Sequence, residues 1–115
     1  MNVRINKNIF KVKTLIDKKS QSIGMMRKKF DKSFEGLLFL MGGRRQCFWM
    51  KNCLVNLDII MIKNNRIIKI HHDCPPCTTE ECEHYCGQGN IVLELPAGTC
   101  KELGIQKGDE IEYLF

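Results

Sequence analysis

No apolar run in this sequence is long enough to cross a bilayer as a helix. Such a helix needs about 20 residues, whereas stretches such as Leu37–Met41 and Ile59–Ile62 are the longest on offer. Met1 to Phe10 alternates polar and apolar residues and has no apolar h-region. We therefore expect no signal peptide, no membrane association and a cytoplasmic setting. A Gly-rich phosphate loop, a GxSxG nucleophile elbow and an HExxH helix are also missing. Neither a nucleophile–base pair nor a carboxylate dyad stands out, so catalysis is not expected. Internal repeats and low-complexity segments are absent, which excludes a repeat architecture.

What is present suits one folded domain. The chain has 115 residues, 43% of them hydrophobic and 27% charged. That length gives a single core over 1–115, built without obligatory metal or disulfides. The net charge of +5 is unevenly spread. Residues 1–51 carry 13 Lys/Arg against 3 Asp/Glu, and residues 52–115 carry 5 against 10. The lysines are dispersed and lack interleaved aromatic residues, the pattern of a solvated surface. A nucleic-acid-associated basic protein is one function class in play, with weak, non-specific binding at most.

Periodicity outlines the elements. Ile9 to Leu15 reads as a strand, and a shorter one at Val3–Ile5 precedes it. Asp17 suits a helix N-cap, and Ile16, Ile23, Met26 and Phe30 predict a helix over 17–30, weakened by Gly24. Gly36–Leu40 and Cys47–Met50 read as strands on either side of a Gly42-Gly43 turn. Leu57–Lys63 and Arg66–His72 flank Asn64-Asn65, which predicts a tight hairpin because Asn tolerates positive φ. Ile91–Leu95 is a further strand ended by Pro96, followed by a helical turn at Thr99–Leu103 stopped by Gly104. Gly108-Asp109 turns into Glu110–Phe115, with Ile111, Tyr113 and Phe115 sharing one face. The expected fold is mainly β: a compact antiparallel β-sandwich or barrel with one N-terminal helix and a short C-terminal helical turn.

Several blocks occur in a fixed order: Gly24-Met25-Met26-Arg27, Gly36-Leu37-Leu38-Phe39, Phe48-Trp49-Met50-Lys51-Asn52, Leu57-Asp58-Ile59-Ile60, Pro75-Pro76-Cys77-Thr78 with Cys82, Leu93-Glu94, Ala97-Gly98-Thr99, Leu103-Gly104-Ile105 and Gly108-Asp109. Together they resemble the family called domain of unknown function 192, over nearly the whole chain. The resemblance implies a small, mostly β domain with no established activity. Many members carry secretion or lipoprotein signals, which this sequence is not expected to share. Cys77 and Cys82 look like the family's own cysteine pair. Cys47, Cys53, Cys74, Cys86 and Cys100 depart from its pattern, as does Asn56, where the family has Pro.

Seven cysteines, an odd number, fit reduced thiols or a metal site better than a disulfide framework. Four of them, Cys74, Cys77, Cys82 and Cys86, crowd into thirteen positions of a Cys-rich loop at 71–90. One reading is a structural zinc site. Cys74 and Cys77 would form a knuckle, and a short helix capped at Thr78 or Thr79 would present Cys82 and Cys86. His71, His72 or His84 could replace one sulfur, and zinc is then the only cofactor expected. A second reading is thiol redox, through Cys77 with Cys82 or Cys74 with Cys77. The third is that the thiols have no role.

Outside that loop, Trp49, Lys51, Asn52 and Asp58 are candidate ligand-binding residues. Lys51 and Asp58 could pair or hold a small polar ligand; alternatively they satisfy the backbone of a bend. Trp49 is expected in the core or on a pocket wall, the core being favoured. Glu94 is expected to face solvent by alternation. The functional expectation is a monomeric, non-catalytic accessory or binding domain for an unidentified small ligand or protein. Its alternatives are a metal or redox protein acting through the Cys-rich loop and a nucleic-acid-associated protein.

Overall fold

The computed structural model of the chain describes all residues from Met1 to Phe115. The element order is β1 (Asn2–Ile5), β2 (Asn8–Leu15), α1 (Lys18–Ile23), β3 (Gly36–Leu40), β4 (Arg45–Phe48), β5 (Leu57–Lys63), β6 (Arg66–Cys74), β7 (Tyr85–Gln88), β8 (Ile91–Pro96), α2 (Thr99–Leu103) and β9 (Ile111–Leu114). Seven strands form one mixed sheet in the order β6-β5-β8-β3-β2-β1-β9, and β4 and β7 form a separate ribbon. The fold is mainly β, as the alternation predicts. Every pairing is antiparallel except β2 with β3, which run parallel from Val12↔Gly36 to Leu15↔Phe39. The chain leaves β2 and returns through α1 and an irregular stretch over 24–35, a crossover that a hairpin cannot replace.

The sheet curls until its two outer strands meet at one end. Ile67 N–H donates to Asp109 O at 2.9 Å, Gly108 N–H to Ile67 O at 2.8 Å, and Ile111 N–H to Asn65 O at 2.9 Å. A half-barrel results. The β5–β6 hairpin turns where expected: Asn64 and Asn65 have φ of 52° and 61°, the left-handed values that match strand twist in a two-residue loop.

Two apolar clusters sit on opposite faces of the sheet. The inner one includes Val3, Ile5, Phe10, Val12, Leu38, Ile60, Ile62, Leu93, Leu95 and Ile111, joined by Cys100 and Ile105 from α2 and its exit. The outer one includes Leu37, Phe39, Leu57, Ile59, Met61 and Val92, covered by Met25, Phe34, Met50, Cys53 and Cys74. Strands β3, β5 and β8 thus supply both clusters by alternation, and each buried Leu or Ile contributes about 1.5–3 kcal/mol.

Several boundaries differ from expectation. The helix spans six residues rather than 17–30 and buries none of its side chains. Asp17 caps it, its Oδ2 accepting from Ser20 N–H, but Gly24 at φ 46° ends it. The following residues trade helical bonds for burial of Met25 and Phe34 beneath the sheet. The strand expected at Cys47–Met50 lies at Arg45–Phe48, and β7 was not expected at all. Strand β9 ends at Leu114, short of the expected Phe115, which is fully exposed while Ile111 is buried.

Gly89 shows how closely the turn into β8 approaches the sheet. Its φ is 135°, and a Cβ there would lie 2.8 Å from Ile62 O. Gly104 also has positive φ, 69°, but open space around it. Gly89→Ala is expected to cost more stability in urea unfolding than Gly104→Ala. The expected losses are about 2–3 kcal/mol and about 1 kcal/mol.

Candidate functional site

Two carboxylates lie inside the sheet, and their surroundings are opposite. Asp58, on β5, is fully buried at the end of the half-barrel. Its Oδ1 accepts from the N–H groups of Asp73 at 3.0 Å and Gly98 at 3.3 Å, and its Oδ2 from Cys100 N–H at 3.0 Å. Asp58 therefore ties the end of β6 and the start of α2 to β5, and it does not meet Lys51. Lys51 Nζ lies 5.5 Å from the Trp49 ring centroid instead. Asn52, at φ 59°, makes the bend of the Phe48–Asn52 block. Its N–H donates to Cys77 O at 3.2 Å, and its carbonyl accepts from Arg27 N–H at 2.8 Å.

Glu94, on β8, faces the outer cluster and is 3% exposed, not solvent-facing as alternation suggested. Its flanking residues in the ladder are Leu37 on β3 and Ile59 on β5, both apolar. Oε1 is enclosed without any hydrogen-bond partner, and no basic side chain pairs with the carboxyl. Burial pushes its pKa up to about 8, so it carries a proton at neutral pH. The sequence signal for this position is the unbroken apolar character of its neighbours, Val92, Leu93 and Leu95, which marks a strand covered on both faces.

Glu94 lines a cleft of about 490 Å³ between α1 and the β4–β7 ribbon. Its walls include Met25, Met26, Phe39, Met41, Phe48, Trp49 and Cys53, with Lys18 and Gln21 on the α1 side. Trp49 is 43% exposed rather than in the core. Phe48 packs edge-on against Phe39 at 4.9 Å between centroids. Of the four side chains expected to bind a ligand, only Trp49 lines this cleft.

The Cys-rich loop does not act as one unit. Cys77 is bonded to Cys82, and Cys86 to Cys47, its direct partner across the β4–β7 ribbon. Cys74 is a free, buried thiol of the outer cluster, pushed up to about 12 mainly by burial. No short helix forms after Thr78; Thr79 Oγ1 instead donates to Glu81 O at 2.7 Å. His71 Nε2 donates to Cys86 O at 2.9 Å, while His72 and His84 are exposed. No three His, Cys, Asp or Glu side chains converge as metal ligands would. In place of the four-sulfur zinc unit there are two disulfides and a core thiol, and one of the disulfides is the Cys77–Cys82 pair of the second reading. Sequence spacing missed Cys47 because its partner lies 39 residues away.

Three of the chain's 18 Lys/Arg side chains come together in a place that their sequence spacing does not reveal. Arg45, Lys69 and Lys107, with His71 and His84, line a shallow groove beside β7 that has no acidic residue. No helix of the structure is long and apolar enough to cross a membrane.

Two outcomes check this site. Protein unfolded without reductant is expected to present three titratable thiols, Cys53, Cys74 and Cys100, rather than seven. Glu94→Leu is expected to raise stability by about 1–3 kcal/mol, because it removes a buried carboxyl without a partner. The carboxyl's pKa is raised on folding, so the folded chain retains a proton that the unfolded chain releases. Wild-type stability should therefore fall as pH rises from about 4.5 to about 8, by at most about 1.4 kcal/mol per unit. Urea unfolding across that range should show this slope diminished in Glu94→Leu.

Comparison with known proteins agrees with the fold. A protein of unknown function from Novosphingobium aromaticivorans DSM 12444 superposes with a TM-score of 0.85 at 26% identity, over 97% of this chain and 84% of that one. A Sinorhizobium meliloti 1021 protein, provisionally described as a transcription regulator, superposes with a TM-score of 0.84 at 30% identity, over 96% and 91%. No curated protein matches the chain. The family pattern DUF192, described as Uncharacterized ACR, matches residues 1–113. The chain belongs to the DUF192 family.

Proposed function

We propose that this chain is a small-ligand-binding domain whose site is the cleft between α1 and the β4–β7 ribbon. The observation that carries the reading is Glu94: a buried carboxyl without a partner costs about 1–3 kcal/mol, a cost that a ligand group can relieve. Apolar and aromatic walls with one convergent polar group are the usual make-up of a ligand pocket, and 490 Å³ falls within the usual size range. The ligand is a small, mainly apolar molecule with one polar end.

The chain's single tryptophan, Trp49, reports on the site. Titration with small apolar probes such as cyclohexanol is expected to change its emission saturably. Met41→Lys, which puts an ammonium into the cleft wall, should weaken that binding about tenfold or more. A linear, non-saturating response in the wild type contradicts the reading. The two disulfides support a setting that keeps thiols oxidised, in place of the cytoplasmic one expected from the sequence.

The basic groove favours a second reading, association with nucleic acid, and the description of the Sinorhizobium relative as a transcription regulator points the same way. Three cations on phosphate give a log–log salt slope of about −2 to −3. Affinity that persists at high salt contradicts this reading.

A further inference from the structure

We propose that the free edge of β4 takes an extended peptide as an added strand, a segment in which acidic and apolar residues alternate and the apolar ones fill the cleft. This inference shares the site of the cleft reading and rests on it only in that the cleft must admit an apolar group.

The register of the ribbon shows which main-chain groups of β4 are unused. Cys47 and Cys86 face each other with Cα atoms 4.1 Å apart, the close spacing of a non-hydrogen-bonded pair. Bonds across the ribbon alternate about that pair, and Gly89 N–H donating to Arg44 O at 2.9 Å continues the alternation. Gln46 and Phe48 therefore turn their N–H and C=O groups toward β7. Arg45 and Cys47 turn theirs away from it, just as Cys86 O is turned outward on the far side to meet His71 Nε2 at 2.9 Å. No other strand or loop of the chain bonds the outward groups of Arg45 and Cys47.

That open edge faces the cleft. Strand β7 lies over β5 and β6: a Cβ on Gly87 would be 3.0 Å from Met61 Cγ and 3.4 Å from Lys69 Cδ. Phe48 of β4 packs on Phe39 of β3, further along the sheet. Helix α1 is fixed beyond, where Gln21 Nε2 donates to Leu15 O at 3.0 Å and to Leu40 O at 2.8 Å. The cleft is the gap between β4 and α1, so a strand placed in it lies beside β4 and over the outer face of the sheet.

The occupant follows from alternation and charge. Gln46 and Phe48 point toward the sheet, and Arg45 and Cys47 are exposed. An added strand keeps that parity: alternate side chains enter the apolar cleft and the others stand beside Arg45. Lys18 lines the α1 side and Lys51 lies near the Trp49 ring, whereas the only acidic residue lining the cleft is the buried Glu94. A second copy of this chain is a poor occupant, because its own β4 would bring Arg44 and Arg45 to the same basic edge. The Cys47–Cys86 bond holds β4 extended within a ribbon too small to be stable alone, so the edge is formed before a peptide arrives.

The experiment adds acetyl-Glu-Leu-Thr-Leu-Glu-amide to the whole, oxidised chain and follows Trp49 emission and hydrogen exchange at the Arg45 and Cys47 amides. The peptide is expected to bind saturably and to slow exchange at both amides about tenfold or more. Methylating one alternate set of its amide nitrogens should weaken binding about tenfold and the other set much less, because a strand bonds its neighbour through every second residue. Replacing both glutamates by lysine should weaken binding about threefold or more at low salt. Binding that leaves the Arg45 and Cys47 amides unprotected, or that ignores both methylated sets, would overturn the inference. Equal binding of the lysine peptide would overturn the acidic partner, and dimerisation through β4 would replace it with a second copy. Cyclohexanol run alongside separates the two readings. If cyclohexanol binds and the peptide does not, the added strand is overturned and the cleft stands as a small-ligand site. If the peptide binds with both amides protected and cyclohexanol does not, the added strand is upheld and the small-ligand reading falls. Binding of neither removes both.

Discussion

Strands β3, β5 and β8 carry apolar residues at both parities, so their sheet must be covered on both faces. Curling covers the inner face: the half-barrel folds β1, β2 and β9 around Leu38, Ile60 and Leu93. The outer face has no second full sheet to cover it. It receives a layer of loops instead: the 24–34 segment, the Phe48–Asn52 bend and the β4–β7 ribbon. That layer is held by main-chain bonds between distant segments, as where Cys77 N–H donates to Met50 O at 3.0 Å. The two disulfides lie in the same layer, where they limit the freedom of segments with little regular structure to hold them.

A covering of loops fits a sheet less completely than a helix or second sheet would. The gap it leaves lies between α1 and the ribbon, over Glu94. The same requirement that buries Ile59 and Val92 therefore buries a carboxyl, and the layer above supplies no donor for it. Asp58 shows the contrast on the neighbouring strand. It is equally buried, yet three backbone N–H groups converge on it. One carboxylate is part of the frame, and the other lies enclosed and unpartnered beneath a cleft.

What could be read from the sequence follows the range of the interactions involved. The Asn64-Asn65 hairpin, the Asp17 cap and the stop at Gly104 depend on neighbours a few residues away, and all are found where expected. The parallel β2–β3 pair depends on a crossover and was invisible to local alternation. Strand β7, Tyr-Cys-Gly-Gln, has little strand character of its own; it is a strand because β4 and the Cys47–Cys86 bond hold it there. The zinc reading of the cysteine loop misled for the same reason, since density along the chain said nothing of a partner for Cys86 in β4, whereas the short-range Cys77–Cys82 pair read from the same loop is formed. Glu94 was misplaced because alternation assigns a residue to a face without saying whether that face is covered. Trp49 was misplaced in the other direction, as a large aromatic side chain that serves as a wall rather than as filling.

Membership of the DUF192 family and the two superposed structures establish the architecture, while the chemistry of the site comes from this chain's own residues. The claim at the centre of the account is that Glu94 is buried, unpartnered and neutral. Its carboxyl carbon can be followed directly by carbon-13 NMR across a pH titration, assigned by comparison with Glu94→Gln. The account predicts a single titration of this carboxyl near pH 8. A Glu94 carboxyl that titrates near the ordinary value of 4.5 would show a solvated or paired group and contradict it.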